Sequence, residues 1–200
     1  MFSLVSGAYR YFTRQDEYNV LMLGLDSSGK TTLLEKIKHI HTGVPGMPVE
    51  NILPTVGVNI SKVTMNRDLI KFMDLGGQAD LRGIWEAYFE DCHAILFVID
   101  SANGERIDEA GDVLIKLIKS EELEGLPVLI LANKCDLSDA GSLVKIKEMV
   151  NGMADLLDSR DVRVMEASGV EGTRVQTAMD WLHSRIIDNR TKRPPAASDI

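Results

Sequence analysis

Cysteine is scarce. Cys92 and Cys135 are the only two in 200 residues, too few for a disulfide framework, so a reducing compartment is the default. Long apolar runs are missing too, and no stretch approaches the roughly 20 residues of a membrane-spanning helix. The N-terminus lacks the basic start and compact apolar block of a secretory signal. Positive charge is in short supply. Twenty-two Lys and Arg face 30 Asp and Glu, for a net charge of −8 and a pI near 5.0, which argues against a nucleic-acid-binding surface. No internal repeat is visible. What remains is an ordinary globular composition, 44% hydrophobic and 26% charged, in a length that suits one domain with a full core.

The most informative stretch is Gly24-Leu25-Asp26-Ser27-Ser28-Gly29-Lys30-Thr31. It follows the apolar run Val20-Leu21-Met22-Leu23 and opens a helix-like segment reaching about His41. Strand, glycine loop and helix in that order fit G-x-x-x-x-G-K-[ST], the P-loop. Glycines at the two fixed positions permit tight turns and bring bare backbone close to phosphate oxygens. Successive N–H groups at a helix N-terminus then form an anion nest. The expected phosphate-binding set is Gly24, Asp26, Ser27, Ser28, Gly29, Lys30, Thr31 and Thr32. Lys30 supplies a point charge for the β- and γ-phosphates, and the Thr31 hydroxyl a ligand for Mg²⁺.

Further along, Thr42 to Pro48 reads as a loop from its glycines and prolines. Thr55 then precedes two strand-like runs, Val58 to Met65 and Leu69 to Met73, joined by a turn at Asn66-Arg67-Asp68. The second run leads into Asp74-Leu75-Gly76-Gly77-Gln78. An aspartate just after an apolar strand can hold Mg²⁺, usually through water. Gly77 offers an unobstructed N–H to a γ-phosphate, and Gln78 can orient a water as the catalytic residue. Thr31, Thr55 and Asp74 are therefore the expected metal set. Each element alone suits an ordinary turn; their order behind a P-loop makes the set specific.

Ala94 to Ile99, ending at Asp100, and Val128 to Leu131 are continuous apolar runs, as expected of parallel strands buried on both faces. Between them, Ile107, Val113, Leu114, Leu117 and Ile118 recur at helical spacing. The second strand ends in Asn133-Lys134-Cys135-Asp136, which names the base. The Asp136 carboxylate can accept from both N1–H and the N2 amino group of guanine. Adenine would leave that carboxylate buried and unpaired, a rejection of roughly 10⁴ or more. Asn133 is expected to tie this loop to the P-loop, and the Lys134 stem to cover the base. After a last short strand, Val162 to Met165, a small residue in Ser168-Gly169 is placed to bring a backbone N–H to guanine O6. Val175, Met179, Leu182 and Ile186 form the inner face of a closing helix.

Two ends complete the chain. Phe2, Leu4, Val5, Ala8, Tyr9, Tyr11 and Phe12 fall on one half of a helical wheel, with Arg10 and Arg14 on the other. Such a helix suits a membrane interface, and it equally suits permanent packing on the domain. Residues 190–200 are polar, carry Pro194-Pro195, and are expected to form a mobile tail. The expected organisation is an amphipathic helix at 1–16, a P-loop domain at 17–189 and a tail at 190–200.

With these motifs placed, the chain resembles a small GTPase of the Arf (ADP-ribosylation factor) family over nearly its whole length, and within it the Arf-related branch. The residues that carry the likeness are Gly24-Leu25-Asp26, Pro54-Thr55-Val56-Gly57, Asp74-Leu75-Gly76-Gly77-Gln78, Trp85, Tyr88-Phe89, Asn133-Lys134-Cys135-Asp136, Asp180-Trp181 and Arg193-Pro194-Pro195. The resemblance implies an α/β P-loop fold: a six-stranded, mostly parallel, doubly wound sheet with helices on both faces and residues 58–65 as its antiparallel edge strand. It implies GTP/GDP and Mg²⁺ as ligands, a conformational change over residues 55–82, and an N-terminal helix sheathed with GDP and released with GTP. It also implies an exchange factor, an activating protein and effectors that read Val58, Met73 and Tyr88, on a monomer. The location implied is the cytosol and the cytosolic face of Golgi membranes, reached through residues 2–14 and a membrane-protein receptor for an acetylated Met1.

The sequence departs from the family pattern at three places. Phe2 stands where typical Arfs carry a glycine, which excludes N-myristoylation there. Met73 and Val58 replace aromatic residues of the effector patch. Gly169 sits in Glu-Ala-Ser-Gly-Val, a less usual setting for the guanine contact. The reading is a GTP-binding switch in vesicle trafficking, slow to hydrolyse because Asp26 is anionic and no arginine lies in an obvious place in cis. Two alternatives stay open: a GTP-dependent membrane scaffold without useful hydrolysis, and a P-loop kinase, against which Asn133-Lys134-Cys135-Asp136 speaks.

Overall fold

A computed structural model describes residues 15–137, 140–157 and 160–197. The expected helix at 2–14 therefore lies outside the described residues.

The chain alternates strands and helices around one sheet. In order these are β1 (Asp16–Leu23), α1 (Lys30–Thr42), β2 (Val58–Met65), β3 (Asp68–Leu75), β4 (Ala94–Asp100), α2 (Ile107–Ile118), β5 (Val128–Asn133), α3 (Ala140–Asn151), α4 (Ala154–Leu157), β6 (Val162–Glu166), α5 (Val175–Asp188) and β7 (Ala196–Ala197). The sheet order is β2-β3-β1-β4-β5-β6, with β7 set against β1. Strands β3, β1, β4, β5 and β6 are parallel, while β2 runs antiparallel to β3 at the edge. The hairpin turn needs left-handed backbone at two successive residues, and Asn66 (φ 49) and Arg67 (φ 84) supply it.

Why the central runs are apolar throughout is clear from what covers them. Leu21 and Leu23 of β1 join Ile95, Phe97 and Ile99 of β4 and Val128 and Ile130 of β5 in a core beneath α2 and α3. The alternate residues Val20, Met22, Leu96, Val98, Leu129 and Leu131 join Leu33, Leu34 and Ile37 of α1 and Val175, Ala178, Met179 and Leu182 of α5 in a core on the other face. Every second side chain of these central runs thus points into a different core, and neither face of them is left for water. Burying a Leu or Ile fully is worth about 1.5–3 kcal/mol. Crossovers on both faces leave the carboxyl ends of the strands open, where ligands bind in doubly wound sheets.

Three boundaries differ from the sequence reading. Asp74 is the penultimate residue of β3, not the residue after it. It pairs in register with Met22 on one side and Asn59 on the other, so the ladder carries the carboxylate to its position. Leading from Gln78, the segment Ala79–Tyr88 is a run of 3-10 turns that periodicity did not announce. The third difference is the tail. Residues 190–197 lie along the domain: Ala196 and Ala197 pair with Glu17 and Asp16, and Arg193 donates to the Glu90 carbonyl at 3.0 Å. His93 ties this arrangement together, since its Nδ1 accepts from the Asn19 N–H at 3.0 Å while its Nε2 lies 3.0 Å from the Pro194 carbonyl. The tail covers backbone at the start of β1, before its pairing with β4 begins at Val20, which composition alone does not reveal.

Candidate functional site

The loops at the carboxyl end of the sheet enclose a cavity of about 460 Å³, lined from the first loop by Asp26, Ser27, Gly29, Lys30, Thr31 and Thr32. Two glycines are dictated by crowding. A Cβ on Gly24 (φ +142) would lie 2.2 Å from the Val98 carbonyl oxygen, and one on Gly29 (φ +85) 2.5 Å from Asn133 Nδ2. Helix α1 starts at Lys30 and has no acidic residue in its first turn, so its unpaired N–H groups and positive dipole end face the cavity uncompensated. Lys30 is buried, and its Nζ donates to the carbonyls of Gly24 at 3.1 Å and Leu25 at 2.8 Å. Burial pulls its pKa down to about 8. A buried cation with no direct ion pair among the described residues is a receptor for an anion.

Beside it, three oxygen-bearing side chains converge from three elements. Thr31 Oγ1 donates to Asp74 Oδ2 at 2.6 Å, and Thr55 Oγ1 stands 2.9 Å from Thr31 Oγ1 and 3.4 Å from the same carboxylate oxygen. Asp74 is fully buried, and its Oδ1 has no hydrogen-bond partner. Burial raises its pKa against the pull of the Thr31 hydroxyl and the Lys30 charge. A buried carboxylate with an unused oxygen, flanked by two hydroxyls, is a hard-oxygen donor set. It fits a Mg²⁺ ion that keeps waters and takes its remaining ligands from phosphate.

At the far end of the cavity the 133–136 loop is fastened to the phosphate loop. Asn133 is buried; its Nδ2 donates to the Ser28 carbonyl at 2.8 Å and its Oδ1 accepts from the Gly169 N–H at 2.9 Å. Lys134, with φ +65, sends Nζ to the Ser27 carbonyl at 2.8 Å and to Asp100 Oδ2 at 2.7 Å. Its stem thereby lies along the cavity wall, and Asp136 and Gly169 complete that wall. The Gly169 N–H is committed to Asn133, so what it does here is orient that amide. Ser168 is buried with its Oγ accepting from the Glu171 N–H at 3.0 Å; it shapes the turn and does not line the cavity. Ser28 and Asp74 likewise sit behind the lining. Asp100 escaped the sequence reading as a site residue, although its position opposite Asn133 in the β4–β5 register was the available signal.

Gly77 closes the cavity by resting on the phosphate loop. A Cβ there would meet Leu25 C at 2.4 Å, Asp26 N at 2.5 Å and Gly24 O at 2.5 Å, so only glycine permits this approach. The peptide before it is held by Trp85, whose Nε1 donates to the Gly76 carbonyl at 3.0 Å. Gln78 is exposed and lines the cavity mouth. Two arginines missed in the sequence also reach this corner. Arg82 Nε donates to the Gly77 carbonyl at 2.9 Å, and Arg106 Nη2 to Asp26 Oδ1 at 2.8 Å. Arg106 lies 80 residues from Asp26 in sequence, which left no local signal; Arg82 is five residues from Gly77, but that contact depends on the turn the chain makes after Gln78.

One expected surface is corrected. Met73 is 3% exposed and packs in the core with Trp85, because β3 is an interior strand covered by the 79–88 segment. Val58 and Tyr88 are half-buried against the same core. The exposed apolar side chains nearby are instead Leu53 (78%), Val56 (80%) and Ile60 (48%).

Comparison with known proteins agrees with this geometry. The profile of the ADP-ribosylation factor family matches residues 5–186. ADP-ribosylation factor-like protein 3 of Saccharomyces cerevisiae is 40% identical over 98% of both chains. ADP-ribosylation factor-related protein 1 of Homo sapiens is 38% identical over 100% of both. Among solved structures, the Arl6 BBS3 small GTPase of Trypanosoma brucei with bound GppNp superimposes with a TM-score of 0.73 at 28% identity, covering 86% of this chain and 98% of that one.

Proposed function

Since the chain belongs to the ADP-ribosylation factor family of small GTPases, we propose that it is a GTP/GDP switch recruiting effectors to Golgi membranes, slow to hydrolyse GTP until an activating protein engages it. GTP hydrolysis is its reaction. The observation that supports the switch most is the seat of Gly77 on Leu25 and Asp26, with Thr55 drawn against Thr31. Two segments distant in sequence thereby close on one end of the phosphate loop, where a γ-phosphate would distinguish GTP from GDP.

The geometry supports the following roles. The N–H groups that open α1 and the Lys30 ammonium hold the β- and γ-phosphates. Thr31, Thr55 and Asp74 would hold Mg²⁺, which when bound would neutralise charge building on the phosphate oxygens. Gly77 offers its N–H to the γ-phosphate, and Gln78 orients the attacking water. Asp136 reads the guanine N1–H and N2 amino group, with Asn133 and Lys134 fixing its loop. Losing the γ-phosphate removes a ligand shared by Thr55 and Gly77 and weakens the closed arrangement, so residues 55–82 relax.

Slow intrinsic turnover follows from the arginines: both guanidiniums near the phosphate loop are bonded to carboxylates, so an activating protein must bring its own. Residues 2–14 give weak lipid contact, and a membrane-protein receptor selects the Golgi. The test is single-turnover phosphate release from the GTP-loaded full chain, with and without a Golgi membrane extract. Slow release alone, a gain of roughly 10³–10⁵ with extract, and loss of that gain in Gln78→Leu support the reading. Fast release by the protein alone contradicts it, and no gain from any extract favours the scaffold alternative.

A further inference from the structure

Asp26 poses an electrostatic problem. It puts a carboxylate on the wall of a cavity built for a polyanion, at the end where Gly77 closes. Two like charges a few ångströms apart repel strongly in a partly desolvated site. The structure shows how this charge is managed. Arg106, just before α2, grips Asp26 twice: Nη2 to Oδ1 at 2.8 Å and Nη1 to the Asp26 carbonyl at 3.2 Å. Its remaining donor edge is turned away, Nε bonding Glu109 Oε2 at 2.9 Å. The other Glu109 oxygen, Oε1, accepts from Arg82 Nη2 at 3.0 Å, and Arg82 Nε in turn holds the Gly77 carbonyl. Charges alternate along Asp26, Arg106, Glu109 and Arg82, so each carboxylate meets a guanidinium.

We propose that Arg106 is a built-in counter-ion that makes Asp26 compatible with a γ-phosphate, and that through Glu109 and Arg82 it couples the phosphate loop to Gly77. The proposal rests on the GTP reading of the cavity. Arg106 is a positioning residue, not a catalytic finger, because its guanidinium is already spent on Asp26 and Glu109. The hydrogen bond from Arg106 is the main reason the Asp26 carboxyl lies below its usual range. The bonds from Arg106 and then Arg82 hold Glu109 low in the same way. Both pairs are partly exposed, with side-chain exposures of 31% for Arg106 and 41% for Asp26, so the effect is screened and moderate.

The experiment measures GDP and GppNp affinity of the full chain with Mg²⁺ for the wild type, Arg106→Gln, Asp26→Asn and the double variant. Arg106→Gln should weaken GppNp roughly three- to tenfold more than GDP, because the freed carboxylate lies at the γ end. The double variant should recover the wild-type ratio, since removing the carboxylate removes the need for its partner. GDP binding reports folding in every variant. An unchanged ratio in Arg106→Gln, or no recovery in the double variant, overturns the proposal. Slower single-turnover hydrolysis at unchanged GppNp affinity also overturns it, by making Arg106 act on the reacting phosphate. If the wild type binds neither nucleotide, the GTP reading itself fails, and the ratio test cannot be mistaken for it.

Discussion

Asn133 donates its side-chain amide to the Ser28 carbonyl at 2.8 Å, across 105 residues of chain. One buried side chain thus sets the distance between the loop that names the base and the loop that holds phosphate.

Asn133→Ala should break both. It leaves the Ser28 carbonyl and the Gly169 N–H without partners, at about 1–3 kcal/mol of folding stability. Nucleotide affinity should fall by roughly 10- to 100-fold. Urea unfolding and GDP titration measure the two losses. Unchanged GDP affinity would show that the two loops are held apart by something else.

Gly77→Ala should separate the nucleotide states. The added methyl meets backbone atoms at 2.4–2.5 Å, which cannot swing aside as a side chain would, so Gly77 must leave the phosphate loop. GDP binding should survive while the GTP-induced change is lost. Trp85, buried and bonded to the Gly76 carbonyl, is a natural reporter. Its fluorescence should change when GTP replaces GDP in the wild type and stay flat in the variant. A full change in Gly77→Ala would mean that the close approach is not part of the switch.

Most of this architecture is legible in the sequence because local signals and long-range contacts agree. Val20 to Leu23, Ala94 to Ile99 and Val128 to Leu131 are apolar without alternation because both of their faces are covered. The phosphate loop is readable because only glycine survives beside Val98 and Asn133. What was not legible depends on contacts with no local pattern. Met73 sits next to a motif aspartate yet is buried. The polar tail lies along the domain because β1 pairs with β4 only from Val20, which leaves the other backbone edge of Asp16 and Glu17 open to Ala196 and Ala197. Arg82 and Arg106 look like surface charges until the fold brings Gly77 and Asp26 beside them.

Lys30 should make binding depend on pH. Burial holds it near 8 against an ordinary 10.5, so between those values the unfolded chain binds more protons than the nucleotide-free fold. Stability of the nucleotide-free protein should therefore gain from this residue as pH rises through that window. Phosphate oxygens favour the charged form and raise the pKa again. GDP binding near pH 8 should take up about half a proton more than binding near pH 6.5. Calorimetry in two buffers of different ionisation enthalpy measures this, and equal uptake at both pH values would contradict it.

Asp136→Asn should exchange guanine for xanthine, whose C2 oxygen suits an amide donor where the guanine amino group suited a carboxylate. Competition between GTP and XTP checks this. Undiminished GTP preference would remove Asp136 from base recognition.

The central claim is that nucleotide identity is written into residues 55–82. Hydrogen exchange of the full chain, loaded with GDP or with GppNp in Mg²⁺, reads this directly. The account predicts slower exchange with GppNp at Thr55 to Val58 and at Gly76 to Arg82, and little difference in β4 and β5. Identical exchange across residues 55–82 in the two states would contradict it.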